Sequence, residues 1–220
     1  KEIAINEVLN SENELNKNIL RAFHVPDALI HPPKLFDLLA KEIRAYGGEI
    51  LTNHQVLSIK QTNNVVSSII VSHKGVNNNI ECDGIINAAG PWSGKVAKLT
   101  NQNVELQLTR GCGIFFTGQL VSQAINRCRI PNNNDIMCPS GKESLWGTTS
   151  EVVHDPDTPK TRPNEIKELL LGAEELFPNI RNYKSFRTWS GVRPLVKPKS
   201  IDKNLPLSRS HLVIDHKETG

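Results

Sequence analysis

The sequence predicts a mixed α+β chain in which helices cover antiparallel sheets. Apolar residues recur at helical spacing between residues 33 and 46 and again from Pro163 to Leu176. Alternating apolar and polar stretches, separated by Asn- and Gly-rich turns, fill much of the remainder. The pattern changes near residue 100, so we predict two regions, residues 1–100 and 101–220.

The composition is that of an ordinary globular protein. The chain has 220 residues, 38% hydrophobic and 22% charged, with a net charge of +3. It contains no run dense in Lys and Arg, which argues against a nucleic-acid partner. No apolar run approaches the roughly 20 residues that cross a bilayer, so we expect a soluble, cytoplasmic protein. The four cysteines lack C-x-x-C spacing and are expected to be free, mostly buried thiols rather than metal ligands.

The first region is predicted to pair one helix with a meander. The helix over 33–46 follows Pro32 and stops at Gly47-Gly48, and its apolar face should pack against a sheet. Three strands follow, over 49–60, 65–72 and 80–82, separated by turns rich in Asn and Gly. The region should therefore form a three-stranded antiparallel meander.

Later elements follow the same reading. The apolar run 84–90 predicts a short buried strand, and Pro91 then opens a helix to about Leu99. The alternating stretches 104–117 and 183–192 predict long strands of an antiparallel sheet. The helix from Pro163 to Leu176 lies between them in the chain and should cover one face of that sheet.

The decapeptide from Phe186 to Leu195 is the strongest candidate for an anion-binding site. It places Arg193 between Gly191 and Pro194. A guanidinium offers a rigid fork that matches carboxylate or phosphate oxygens. Glycine permits close backbone approach, and proline biases the preceding residue towards an extended conformation. A surface arginine in a simple turn stays open as an alternative.

Three motifs occur in an order that resembles the FAD-dependent glycerol-3-phosphate dehydrogenases. They are Ile85-Ile-Asn-Ala-Ala-Gly-Pro-Trp-Ser93, Gly147-Thr-Thr149 and Ser190-Gly-Val-Arg-Pro-Leu195. Within that family the chain looks most like the large flavin subunit of the anaerobic form. The resemblance extends from about residue 5 to residue 220.

The resemblance implies part of a glutathione-reductase-like FAD domain over residues 1–100 and a D-amino-acid-oxidase-type substrate domain over 101–220. The G-x-G-x-x-G fingerprint of the family is not found, since Gly111-Cys-Gly113 supplies only its first two glycines. We therefore expect an internal fragment that lacks the ADP-binding unit. Such a fragment should bind FAD poorly and be inactive alone.

The resemblance also assigns roles to individual residues. Substrate phosphate would be held by Arg193 and Arg209, with Thr148 and Thr149 in support, whereas no catalytic residue is identified. Arg187 is expected to pair with a carboxylate instead. The residues that would contact FAD, Val56 at its adenine end, are Val56, Asn87, Ala88, Ala89, Gly90 and Gly191.

The implied reaction is flavin-dependent oxidation of sn-glycerol 3-phosphate to dihydroxyacetone phosphate. Electrons would pass to a quinone through electron-transfer subunits at the inner face of the cell membrane. Two alternatives stay open. A related FAD enzyme could oxidise a 2-hydroxy acid or an amino acid, with Arg193 clamping its carboxylate, or the chain could be a non-catalytic assembly module.

Overall fold

The computed structural model describes residues 1–129, 133–157, 159–196 and 212–216, and it divides the chain into two compact units. We call residues 1–30 with 108–193 the sheet unit, and residues 31–107 with 194–220 the meander unit. The predicted division into 1–100 and 101–220 therefore differs from the observed one at both ends of the chain.

The N-terminal segment joins the sheet unit because it packs into that unit's core. Strand β1 (Glu2–Ile3) pairs antiparallel with β2 (Ala22–Phe23), and helix α1 (Ile5–Ser11) lies between them in the chain. Leu15 is buried in the same core as the sheet. The carboxylate of Glu12 also accepts hydrogen bonds from the Ser122 N–H, at 3.0 and 3.2 Å. Contacts of this kind, over a hundred residues apart in sequence, cannot be inferred from local patterns.

The meander unit contains the predicted three-stranded sheet. Helix α2 (Pro32–Ala45) precedes strands β3 (Gln55–Thr62), β4 (Val65–His73) and β5 (Val76–Glu81). The strands pair antiparallel in the order β3-β4-β5. The turn between β3 and β4 holds Asn63 and Asn64 at positive φ, a conformation that Asn adopts more readily than most residues.

The helix predicted over 33–46 is confirmed as α2, but its predicted packing is wrong for the described residues. No residue of α2 is buried. Its apolar side chains Leu35, Leu38, Leu39 and Ile43 are 39 to 54% exposed. The amphipathic spacing fixes which side of the helix is apolar, whereas covering that side needs another element, which the spacing alone cannot supply.

The buried strand predicted over 84–90 is also wrong. Residues 84–89 have no regular secondary structure, and Ile86 is 94% exposed. A strand needs a neighbour for its backbone hydrogen bonds, and none of the described sheets includes this segment. The helix predicted after it forms in pieces, as α3 (Ser93–Ala97) between two short 3₁₀ turns at Gly90–Trp92 and Lys98–Thr100.

The sheet unit is built on six strands, and the predicted long strands 104–117 and 183–192 are both found. The order is β10-β6-β9-β8-β7, with β11 also paired to β6. Where registers are given, neighbouring strands run antiparallel. The strands are β6 (Leu106–Thr117), β7 (Ile125–Asn126), β8 (Ile136–Ser140), β9 (Glu143–Gly147), β10 (Glu151–Val153) and β11 (Ser185–Val196).

Helix α4 (Pro163–Leu176) covers this sheet as predicted. Pro163 stands at its first position, where the missing N–H costs nothing. Leu169 and Ala173 of the helix are fully buried against Trp146 and Phe177, whose rings meet edge to face at 6.0 Å between centroids. The core of the unit therefore lies between α4 and the sheet.

All four cysteines are free thiols, but their burial is uneven: Cys112 is buried, Cys82 and Cys138 are half-buried and Cys128 is exposed. Over the described ranges, no helix is both long enough and apolar enough to cross a membrane.

Two leucines of α4 test where the core lies. Leu169 is fully buried, whereas Leu171 is 50% exposed. We expect Leu169→Ala to lower the free energy of unfolding by about 2–5 kcal/mol because it opens a cavity. Leu171→Ala should change it by less than about 0.5 kcal/mol. Urea unfolding followed by tryptophan fluorescence measures both, and equal losses in the two variants would contradict this description of the core.

Candidate functional site

The structure brings together three of the predicted substrate-binding residues: Arg193, Thr148 and Thr149. Arg193 lies on β11 and is partly buried. Its Nη2 donates to Oγ1 of Thr148 at 2.8 Å, and its Nη1 donates to the carbonyl oxygen of Thr149 at 3.3 Å. The guanidinium is thus held by the loop between β9 and β10. We call Arg193, Thr148, Thr149 and the underlying Gly111 the arginine site.

Gly111 of β6 provides the floor of the arginine site. A Cβ added at Gly111 would lie 2.5 Å from both Cζ and Nη1 of Arg193, so any side chain there would overlap the guanidinium. Because only glycine leaves this space, the planar group lies directly against the β6 backbone. The sequence signal for this role is a glycine inside an otherwise regular strand, which often marks a close approach to the backbone.

Thr149 is fixed to β6 by both its backbone and its side chain. Its N–H donates to the Cys112 carbonyl at 3.1 Å, and its Oγ1 accepts from the Cys112 N–H at 3.0 Å. The same hydroxyl donates to Oε1 of Glu165 at 3.0 Å. The side chain is only 3% exposed. The Thr149 hydroxyl therefore holds the loop in place, and it is the carbonyl of this residue that contacts Arg193.

A buried ion pair lies behind the loop. Nη2 of Arg110 donates to Oε2 of Glu165 at 2.7 Å, and Nη1 of Arg110 donates to the Lys160 carbonyl at 2.7 Å. Arg110 is 3% exposed and also pairs with Glu151. Glu151 in turn pairs with Arg162, so charges of opposite sign alternate along the cluster.

Glu165 stands at the start of α4, where it also caps the helix. Its Oε2 accepts the Arg162 N–H at 2.9 Å, and its Oε1 accepts from Thr149 and from the Cys112 thiol, the latter at 3.3 Å. A carboxylate in the first helical turn also interacts favourably with the helix dipole. This residue was not predicted from the sequence, because its partners come from four separate parts of the chain.

The surroundings of Glu165 lower its pKa. Burial on its own would raise the pKa of this carboxyl group. The hydrogen bonds from the Arg162 backbone, Cys112 and Thr149, together with the charge of Arg110, favour the ionised form and outweigh burial. The group is therefore a carboxylate at neutral pH, and acceptor-only towards its four neighbours.

Four of the predicted cofactor-binding residues meet in the meander unit. An apolar cavity of about 330 Å³ lies beside β3 and β4. Its walls are aliphatic side chains together with the small residues of the 84–89 segment. The lining residues are Val56, Ile59, Ile69, Ile85, Ile86, Asn87, Ala88, Ala89 and Val96.

Asn87 shapes the backbone beside that cavity. Its Nδ2 donates to the Ser93 carbonyl at 2.9 Å, and its Oδ1 accepts the Ala89 N–H at 3.3 Å. Gly90 follows with φ of +55°, a conformation that favours glycine, and a Cβ there would meet no atom within 4 Å. The turn therefore presents main chain rather than side chains.

The remaining predicted residues are placed differently. Gly191 belongs to the sheet unit, where a Cβ would lie 3.0 Å from the Trp189 ring, and it has no part in the cavity of the meander unit. Arg209 lies outside the described residues. Arg187 pairs with Glu143 at 2.7 Å, which confirms the expected carboxylate partner. In the described part of the chain, no group of three His, Cys, Asp or Glu side chains is placed to hold a metal ion.

Known proteins share this sequence and this fold. The FAD dependent oxidoreductase family model matches residues 2–216. The chain is 27% identical to the anaerobic glycerol-3-phosphate dehydrogenase subunit A1 of Haloferax volcanii, over 97% of this chain and 39% of that protein. It spans about two fifths of the length of the curated relatives that it matches most strongly.

Two solved structures share the fold. The glycerol-3-phosphate dehydrogenase of Bacillus halodurans, solved with FAD, superposes with a TM-score of 0.78 at 21% identity, covering 89% of this chain and 42% of that one. The glycine oxidase of Bacillus cereus gives a TM-score of 0.75 at 22% identity, covering 89% and 52%. The expected architecture, an FAD-dependent oxidoreductase fold with antiparallel sheets, is confirmed.

Gly111 can be tested with a glycine that has space around it. Gly111→Ala should push the Arg193 guanidinium away and weaken binding of inorganic phosphate about tenfold, since a charge-assisted contact is lost. In Gly94→Ala the nearest atom to the new Cβ lies at 3.5 Å, so this variant should bind phosphate as the wild type does. Titration calorimetry measures both affinities. Equal affinities in the two variants would remove Gly111 from the arginine site.

The lowered pKa of Glu165 predicts a dependence of stability on pH. A carboxyl group whose folded pKa is depressed stabilises the fold fully above its unfolded pKa, about 4.3, and this stabilisation is lost as pH falls through the folded pKa. Glu165→Gln should therefore melt below the wild type at pH 7, and the gap should shrink in acid. Melting temperatures between about pH 3 and 7 give the result. Glu174→Gln, which alters an ion pair at the other end of α4, is the control.

Proposed function

Because this chain belongs to the family of FAD-dependent oxidoreductases, we propose that it acts within a flavoenzyme that oxidises sn-glycerol 3-phosphate to dihydroxyacetone phosphate. The names of its relatives support this substrate. The observation that carries the proposal is the arginine site, in which a guanidinium is held ready for an anion.

The arginine site suits a phosphate group for a physical reason. Arg193 is fixed by two hydrogen bonds from its own fork before any substrate arrives, so less rotational freedom is lost on binding. Each charge-assisted hydrogen bond to a phosphate oxygen contributes about 1.5–3 kcal/mol. Two such bonds would favour glycerol 3-phosphate over glycerol by several orders of magnitude.

The cavity of the meander unit fits part of a flat, largely apolar cofactor. Val56, Ala88 and Ala89 line it, and the turn held by Asn87 exposes main chain beside it. Small side chains let backbone approach a planar ring system closely. We propose that Val56 and residues 87–90 would hold FAD, whose chemistry when bound is to accept a hydride. The part played by Gly191, in the other unit, is a weaker proposal.

Partners and location follow from the same proposal. The Haloferax relative is named as a subunit, which supports further subunits in the assembly. We propose that electron-transfer subunits carry electrons from the flavin to a quinone. The enzyme would then work in the cytoplasm, held at the inner face of the cell membrane by those subunits. Nucleic acid is not among the proposed partners, given a net charge of only +3.

A second candidate is oxidation of an amino acid or a 2-hydroxy acid. A guanidinium fork pairs with a carboxylate as readily as with a phosphate. Arg193, as the structure places it, is compatible with either anion. The two candidates differ in the substrate that the arginine site would select, and they share the proposed cofactor.

Arg193→Lys tests the proposal in the full gene product that contains this chain. Lysine carries the charge but cannot reproduce the fork. We expect the KM for glycerol 3-phosphate to rise about tenfold or more, since the lost bond is charge-assisted. Arg187→Lys, on the same strand but paired with Glu143, should leave the KM near the wild-type value. Steady-state oxidation with an artificial electron acceptor provides the measurement.

The same assay separates the two candidate reactions. Wild-type enzyme is given glycerol 3-phosphate, glycine and 2-hydroxyglutarate in turn. A higher kcat/KM for either carboxylate than for glycerol 3-phosphate would replace the first candidate with the second. An unchanged KM in Arg193→Lys, for whichever substrate is preferred, would remove Arg193 from the substrate site.

A further inference from the structure

We propose that Glu165 is a positioning residue for the arginine site, and that it acts through the hydroxyl group of Thr149. The inference rests on the proposed function, because the anion that benefits is the substrate's phosphate. Glu165 itself does not touch Arg193 in any hydrogen bond described here. Its influence passes along Glu165, Thr149 and the β9–β10 loop to the guanidinium.

The first step is the orientation of the Thr149 hydroxyl. A threonine hydroxyl has one proton to donate. Since Oγ1 of Thr149 accepts the Cys112 N–H at 3.0 Å, its own proton must point elsewhere, and Oε1 of Glu165 lies 3.0 Å away. An ionised carboxylate is an acceptor only, so it fixes the direction of this hydrogen bond.

The second step is the position of the Thr149 backbone. With its side chain held by Glu165 and its N–H bound to the Cys112 carbonyl, Thr149 is attached to β6 at three atoms. Its carbonyl then accepts from Nη1 of Arg193, and the neighbouring Thr148 hydroxyl accepts from Nη2. The loop therefore sets the plane in which the guanidinium lies over Gly111.

The third step is what keeps Glu165 ionised and in place. Arg110 is 3% exposed, and its Nη2 lies 2.7 Å from Oε2 of Glu165. The Arg162 N–H donates to the same oxygen at 2.9 Å, so Oε1 is left to Thr149 and the Cys112 thiol. The two oxygens thus divide the work: Oε2 anchors the carboxylate, and Oε1 anchors the loop.

Glu165 also caps α4, so a loss of stability alone would not establish the positioning role. The variants must therefore separate binding from folding. Thr149→Ser keeps the hydroxyl, whereas Thr149→Val removes it at nearly constant volume. Glu165→Gln keeps an oxygen and the side-chain length but loses the charge. Glu174→Gln on the same helix is the matched control, because its surface partner Arg181 lies outside the arginine site.

The readouts are the KM for sn-glycerol 3-phosphate, the inhibition constant for inorganic phosphate, kcat and the melting temperature, all on the flavin-loaded full gene product. We expect Thr149→Val and Glu165→Gln each to raise KM and the phosphate inhibition constant about tenfold, as for loss of one oriented charge-assisted contact, with kcat within about twofold. Thr149→Ser and Glu174→Gln should match the wild type. The double variant should be no worse than either single one, because both break one chain of contacts.

Other outcomes would overturn the inference in distinguishable ways. If Thr149→Val and Glu165→Gln lower the melting temperature but leave KM and the phosphate inhibition constant unchanged, Glu165 is a helix cap only. If Arg193→Lys raises KM while these two variants do not, the proposed function stands and the positioning role fails. If Arg193→Lys also has no effect, both fail together. Additive effects in the double variant would likewise contradict a single path through Thr149.

Discussion

The ion pair between Arg110 and Glu165 is the interaction on which the rest of the sheet unit depends. It joins the middle strand β6 to the first turn of α4, and both charges lie almost entirely out of water. Charges are costly to bury unless they are paired and hydrogen-bonded. Here the Lys160 carbonyl, the Arg162 N–H and the Thr149 hydroxyl supply those partners. Removing one charge would strand the other, which typically costs about 3–5 kcal/mol.

The pair matters for function because of where it lies along β6. That strand pairs with β10 over Leu108–Arg110 and with β9 over Gly113–Thr117. Between the two ladders, the loop that joins β9 to β10 crosses residues 111 and 112, and Thr149 bridges to Cys112 there. Arg193 reaches across from β11 at the same point and rests on Gly111. The arginine site thus occupies the one step of β6 where the ladder is handed from one strand to the next.

Local pattern was enough to predict the regular elements. The helices α2 and α4, the meander and the long strands follow from periodicity and from the positions of Pro, Gly and Asn. Periodicity failed for residues 84–90, because an apolar run states only that burial is favourable and says nothing of a pairing partner. It failed in the same way for the packing of α2. The assignment of residues 1–30 depends on contacts such as Leu15 in the core and Glu12 with Ser122, which no local pattern contains.

The site was predictable in the same partial sense. Thr148, Thr149 and Arg193 were proposed from a resemblance in motif order, and the fold brings them into contact. Gly111 and Glu165 were not assigned roles, because each acts through its position beside another residue rather than through a motif. A glycine is informative only once a guanidinium is seen above it. A carboxylate three residues into a helix could equally be an ordinary cap.

This arrangement explains why an arginine, rather than any cation, stands at position 193. A lysine ammonium has its three donors on one nitrogen, so contacts to the loop and to an anion would compete for the same small volume. The guanidinium separates its donors in a plane: Nη1 and Nη2 each hold one loop oxygen while the plane lies flat on Gly111. Orientation is therefore provided by the fold before the anion binds. Affinity then depends on how firmly the loop is fixed, and that depends on a carboxylate the anion never touches.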